Sequence, residues 1–149
     1  MREMRTVVLA ACLGLAGSAT PADALLSATG NVIAILAGDL FVGEAVGDLS
    51  GAGTLAIHSQ KDPALTCRGQ FTSSAELGGA GQMHCSDGAT AIFRFKRLNI
   101  FRGYGTGSFS RGSISFAYGL SAEEAGPYLK LPPGKKLAYN GKELELVDL

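Results

Sequence analysis

From about residue 40 to residue 119 the chain alternates with a period of two, and one face of the alternation is shared between glycine and large apolar side chains. A period of two is the repeat of a β-strand, whose successive side chains point to opposite faces. Leu65, Cys67, Gly69 and Phe71 fall on one face, with Thr66, Arg68, Gln70 and Thr72 on the other. Gly81, Met83 and Cys85 share a face opposite Gln82 and His84. Folding these two runs together through Ser73 to Gly78 sets Cys67 directly across from Cys85, with both thiols on the inner face.

The same register logic extends outward. Ser86-Asp87-Gly88 suits a three-residue hairpin loop with Gly88 in the left-handed position, which places Met83 against Ala91 and Gly81 against Phe93. Upstream, Ile57 faces Cys67 and Gly53 faces Phe71. Downstream, an Arg111-Gly112 turn sets Phe109 against Ile114, Gly107 against Phe116 and Gly105 against Tyr118. A glycine opposite an aromatic therefore recurs. Glycine weakens a strand unless its missing side chain is needed, and a ring lying over it permits strong curvature. The expectation is a mainly β fold: a small antiparallel meander closing into a barrel or a tightly curled sandwich, its interior filled by Phe and Tyr rings with little open cavity. A weak repeat fits a hairpin unit used three times: Leu49–Leu55 is echoed by Leu77–Met83 and again by Gly103–Phe109.

The last quarter changes character. Ser121-Ala122-Glu123-Glu124 is a capping box that predicts a short helix over about 121–129. Pro132-Pro133-Gly134 breaks the chain, and Asn140-Gly141 marks a C-terminal hairpin with one wet face, which either caps the barrel or adds to its edge.

The N-terminus reads as an export signal. Arg2 and Arg5 precede an apolar or small run from Thr6 to Ala19, and Ala22-Asp23-Ala24 is a small-x-small cleavage site. The run is shorter than the roughly 18 residues that suggest a spanning helix. A competing reading takes Leu9-Ala10-Ala11-Cys12 as a lipobox, making Cys12 the candidate lipidation site and the mature N-terminus. In that case 23–37 can stay whole as an N-terminal helix, with Asp23 as cap and Leu25, Val32, Ile33 and Leu36 as its stripe. The domain plan is thus a signal over 1–24 (or 1–11), an N-terminal segment over 25–39, and one β-rich domain over 40–149. Either route is export, to a soluble periplasmic form or a lipid-anchored one. With Cys12 accounted for, Cys67 and Cys85 remain as an even pair, expected as a disulfide in an oxidising compartment.

The 13 basic and 13 acidic residues cancel. Nucleic-acid binding needs a basic stripe, and the densest cluster (Arg94, Lys96, Arg97, Arg102) reads as the solvated face of a strand. Two cysteines and the isolated His58 and His84 give no metal-ligand spacing, and no cofactor motif is present. Gly103-Tyr104-Gly105-Thr106-Gly107 looks like a dinucleotide loop but lies inside an alternating strand pattern rather than opening a helix. His84 and Cys85 point to opposite faces, which separates a base from its nucleophile. Asp39, Asp48, Asp62 and Asp87 accompany no nucleophile-elbow sequence. Glu123 and Glu124 are explained by the helix cap. The outer row Arg68, Gln70, Gln82, His84, Arg94 and Lys96, with Thr90, forms a polar, mildly basic surface and is the candidate recognition face.

The motifs Leu9–Cys12, Cys67-Arg68-Gly69, Cys85-Ser86-Asp87-Gly88 and the run from Tyr118 to Lys136 resemble those of small, uncharacterised exported bacterial β-rich proteins, many of them lipoprotein-like. The resemblance implies an envelope location and no particular activity. The leading expectation is a non-enzymatic cell-envelope protein with a binding or structural role, its partner another protein or a glycan, touching a membrane only through an anchor at Cys12. The alternatives are a small apolar-ligand carrier, with a cavity lined by Phe71, Phe93, Phe95, Phe116 and Tyr118, and an envelope hydrolase. A membrane-spanning barrel is disfavoured, because Thr66, Arg68, Gln70, Gln82, His84, Arg94 and Lys96 would meet lipid.

Overall fold

A computed structural model describes residues 27–74, 76 and 78–149. Eight antiparallel strands form a closed barrel in which each pairs with its sequence neighbour and the last pairs with the first. They are β1 (Ser27–Leu36), β2 (Asp39–Asp48), β3 (Ala52–Ser59), β4 (Thr66–Ser74), β5 (Gly78–Cys85), β6 (Thr90–Asn99), β7 (Arg102–Phe109) and β8 (Gly112–Tyr118). A short helix α1 (Ala122–Ala125), a 3-10 turn (Gly126–Tyr128) and a hairpin of β9 (Lys135–Asn140) and β10 (Glu143–Asp148) complete the chain. Closure removes the exposed strand edges that an open sheet of this size would present.

The central registers follow the alternation. Cys67 pairs with Cys85 and the two form a disulfide across neighbouring strands. Phe71 faces Gly53 and Gly81, and Phe93 faces Gly81 and Gly107. Gly88 takes its positive φ of 90° in the loop between β5 and β6.

Three expectations need correction. The first is the helix over 23–37: residues 27–36 form β1, which hydrogen-bonds to both β2 and β8 and closes the barrel. Its apolar run looked helical because both faces are covered. Val32, Ala34 and Leu36 point into the barrel core, while Ile33 and Ile35 point outward beneath the C-terminal elements. A strand buried on both faces loses its visible alternation. The β-domain therefore takes in most of the segment set apart as 25–39. Residues 1–26, with the signal over 1–24 and the Cys12 lipobox, lie outside the described residues.

The second correction concerns the β7–β8 turn. Phe109 pairs with Gly112 across Ser110-Arg111, so Gly107 faces Ile114, Gly105 faces Phe116 and Gly103 faces Tyr118. The shift is an even number of residues and leaves every side chain on its expected face, so the alternation could not detect it. The third is the C-terminal hairpin, whose turn is Gly141-Lys142, one residue later than the Asn140-Gly141 reading.

That hairpin neither caps an end nor joins an edge. It packs with α1 on the outer wall of the barrel. Outward side chains Ile33, Ile35, Leu40 and Ala117 form a second core with Leu120, Ala122, Ala125, Leu129 and Leu144. Tyr104 stacks on Tyr128 at 4.1 Å between ring centroids. The polar groups under this cover are paired: Asn31 Nδ2 donates to the Leu120 carbonyl at 2.8 Å, and the Lys130 N–H donates to Ser115 Oγ at 2.8 Å. Ser121 caps α1, accepting from the Glu124 N–H at 3.2 Å as the capping box requires.

The turn between β1 and β2 carries a local cost. Ala37, at φ 48°, and Gly38, at φ 87°, are both left-handed. A two-residue hairpin loop of this kind favours Asn-Gly, because an alanine there is strained by about 1 kcal/mol or more. Ala37 is exposed, and its N–H donates to the Ser113 carbonyl, a bond any non-proline residue keeps. Ala37→Asn is expected to stabilise the protein by about 1 kcal/mol in urea unfolding. A neutral or destabilising result would show that the turn is not held in this conformation.

Candidate functional site

The inward rows decide what the barrel encloses. An eight-stranded barrel is just wide enough either to fill itself with side chains or to hold one small ligand. Here glycines occupy inward positions on most strands, among them Gly43, Gly53, Gly69, Gly81, Gly103 and Gly105. The aromatic rings fold down onto them. A Cβ on Gly53 would run into Phe71, one on Gly79 into Phe95, and one on Gly105 into Phe116. Rings laid along the wall do not cross the centre. They pack edge to face instead, Phe71 on Phe95 at 5.7 Å, Phe93 on Phe116 at 5.4 Å and Phe95 on Tyr118 at 5.7 Å.

A cavity of about 570 Å³ remains inside the barrel. This overturns the expectation of an interior filled by rings. Its wall includes Phe71, Phe93, Phe95, Phe116 and Tyr118, the five residues named for a carrier from the sequence, with Val32, Ala34, Ala45, Leu55, Ile57, Met83 and Ile114. Phe41, Cys67 and Ala91 are buried in the same core but do not line the cavity. They sit toward the end that carries the β3–β4 and β5–β6 loops and the disulfide, so that end is packed. The other end is the mouth. It is formed by the first residues of β1 (Ala28, Thr29, Gly30), the β2–β3 turn (Leu49, Ser50, Gly51), Ser73 and Ser74 of β4, and the β6–β7 turn (Ile100, Phe101). Leu49, Ile100 and Phe101 are 76%, 61% and 59% exposed, which gives the mouth an apolar rim.

Besides Ser73, two polar side chains belong to the inward rows near the mouth. Arg97 continues the row Ala91, Phe93, Phe95 on β6, and Tyr118 continues the row Ile114, Phe116 on β8. Burial pushes the Tyr118 phenol above its usual range, and the positive charge of Arg97 pulls in the opposite direction. The reading of Arg97 as part of a solvated face is thus corrected. The period of two that placed Phe93 and Phe95 inside also placed Arg97 there, and its cationic neighbours Arg94 and Lys96 masked the signal. Across the mouth, Asp48 accepts from the Ser50 N–H at 2.8 Å and from Ser50 Oγ, bonds that hold its carboxyl below the usual range.

No family model, curated protein or solved structure matches this chain.

The other candidate groups are dispersed. Arg68 pairs with His84, Gln70 with Gln82, and Arg94 and Lys96 follow on β6. All six are exposed and contiguous on the outer wall of β4, β5 and β6, away from the C-terminal cover. His84 points outward while Cys85 points inward and is bonded to Cys67. Asp87 pairs with Arg111 and accepts from the Ala89 N–H at 3.0 Å. Gly103 to Gly107 lie within β7. Glu124 reaches Arg102 at 3.7 Å beside the capped helix. Apart from the exposed Val46, the outward positions of β1, β2, β7 and β8 that are apolar lie beneath the helix and hairpin, and those of β4 to β6 are mostly polar. That outer wall lacks the continuous apolar band of a membrane-spanning barrel.

Proposed function

We propose that this protein is an exported, non-enzymatic carrier that holds one small, largely apolar molecule inside its barrel. The observation that carries the reading is the cavity of about 570 Å³, walled by aliphatic and aromatic side chains and open at one end. Its size lies within the roughly 300–1,000 Å³ of small-molecule sites. The apolar rim of Leu49, Ile100 and Phe101 extends the apolar path to the surface. The Arg2–Ala24 pattern and the Cys67–Cys85 pair support export to an oxidising compartment, with Cys12 as the alternative anchor point.

A direct test uses the neutral, environment-sensitive dye N-phenyl-1-naphthylamine. Saturable fluorescence enhancement at one dye per protein is expected. Ala45 lines the cavity and is only partly buried, so Ala45→Phe projects a ring into the ligand's space. It should weaken dye affinity by about tenfold or more, roughly 1.4 kcal/mol, through lost volume. Lys61→Gln, on the exposed β3–β4 loop at the packed end, should leave affinity unchanged. The absence of saturable binding, or equal affinity of Ala45→Phe and the parent, would sink the carrier reading.

A second reading keeps the outer row Arg68, Gln70, Gln82, His84, Arg94 and Lys96 as a face for an envelope protein or a glycan. It is favoured by the contiguity of those six exposed side chains on three adjacent strands.

A further inference from the structure

Resting on the carrier reading, we infer that the ligand is a single-chain amphiphile with an anionic head, its tail in the barrel and its head held at the mouth by Arg97 and Tyr118. Arg97 and Tyr118 are the two cross-strand partners of one residue, Gly103. Gly103 has no side chain, and a Cβ there would run into the Tyr118 hydroxyl, so the phenol covers Gly103 while Arg97 flanks it on the other neighbouring strand. Both line the same cavity as the phenylalanine rings. The other inward positions of the eight strands carry apolar side chains or glycine, apart from Asp39 and Ser59 at the packed end and Ser73 at the mouth.

A half-buried cation at the edge of an apolar cavity suits an anionic group, which it meets through charge-assisted hydrogen bonds. Among the described residues Arg97 has no carboxylate partner; its Nη2 donates to the Ile100 carbonyl at 3.3 Å. Two acids stand on the rim: Asp48, the last residue of β2, lies four strands around the barrel from β6 and is engaged by Ser50, and Glu76 lies in the β4–β5 turn; among the described residues neither forms an ion pair with Arg97. The guanidinium therefore retains donors for a ligand, and its planar fork matches a carboxylate or a phosphate. The phenol adds one O–H donor beside it. Apolar wall and polar tip together select an amphiphile over a wholly apolar molecule or a small anion.

The test compares laurate, dodecyl phosphate and 1-dodecanol as competitors for N-phenyl-1-naphthylamine. All three share one chain length, so they differ only at the head. At least one of the two anions should bind about tenfold or more tighter than dodecanol, and which one does so assigns the head as carboxylate or phosphate. Arg97→Gln should erase that preference and leave dodecanol and dye binding within about twofold, which also shows that the variant is folded. Tyr118→Phe should reduce the preference less. Lys61→Gln, which removes a charge far from the mouth, should keep it. If dodecanol binds as well as both anions, or if Arg97→Gln weakens all three ligands equally, the inference is overturned while the carrier reading stands. If neither the dye nor any of the three binds, the carrier reading itself has failed.

Discussion

Gly81→Val is expected to destabilise the protein by about 3 kcal/mol or more, and Gly81→Ala by about 2 kcal/mol, in urea unfolding followed by circular dichroism. The sign is the informative part. Glycine inside a strand ordinarily costs about 0.5–1 kcal/mol relative to alanine, so the same change in an open strand would be neutral or stabilising. Here a Cβ on Gly81 would meet the Gln70 carbonyl from one neighbouring strand and the tip of the Phe93 ring from the other. Neither can retreat freely, because the carbonyl belongs to the sheet and Phe93 is 5% exposed and packed edge to face on Phe116. Gly88 gives the comparison. Nothing lies within 4 Å of a Cβ there, and its φ of 90° is the whole obstacle. Gly88→Ala should cost about 1–2 kcal/mol from backbone strain alone and leave the barrel interior unchanged. A stabilising Gly81→Ala would show that the ring does not rest on the glycine, and the account of the cavity would lose its basis.

Removing the disulfide should have an effect of similar size. Cys67 and Cys85 are 18 residues apart, and a crosslink closing a loop of that length contributes about 3 kcal/mol by restricting the unfolded chain. Cys67→Ala/Cys85→Ala is expected to lose that amount and to lower Tm by roughly 10 °C. Reductant should shift the parent protein by a comparable amount and leave the double variant unmoved. A loss under about 1 kcal/mol would mean that the β4–β5 hairpin is held in the unfolded ensemble by other contacts. Cys67 is 1% exposed, so a reagent that labels it readily in the native state would contradict the buried crosslink.

The central hairpins were legible because their inner and outer faces differ. Met83 and Cys85 alternate with Gln82 and His84, and the loop glycine at 88 and the two cysteines agree on a single register. Agreement between independent local signals is what makes a register readable. β1 was not legible. Val32, Ala34 and Leu36 face the barrel core while Ile33 and Ile35 face Leu120, Ala125 and Leu129, so the sequence shows an unbroken apolar run that a helix would also show. The β7–β8 shift escaped for the converse reason, since moving by two residues preserves every face. The cavity rim was half legible. Phe93 and Phe95 announce an inward row, but Arg97 at its end carries the same charge as Arg94 and Lys96, which point the other way.

By itself the sequence determined the local quantities: strand periodicity, the pairing of Cys67 with Cys85, the capping box at Ser121, and the glycines set opposite rings. These depend on residues close in sequence or joined by one hairpin, where turn length and alternation fix the geometry. Only the tertiary structure decided whether the meander closes, where the C-terminal hairpin lies, and what the interior contains. Closure joins Val32 to Tyr118, a pairing that no hairpin links. The hairpin finds its place through a face of Ile33, Ile35 and Ala117 that exists only once β1 and β8 are neighbours. The cavity depends on the difference between the width of an eight-stranded barrel and the volume of rings laid against its wall, a quantity set by all the strands at once.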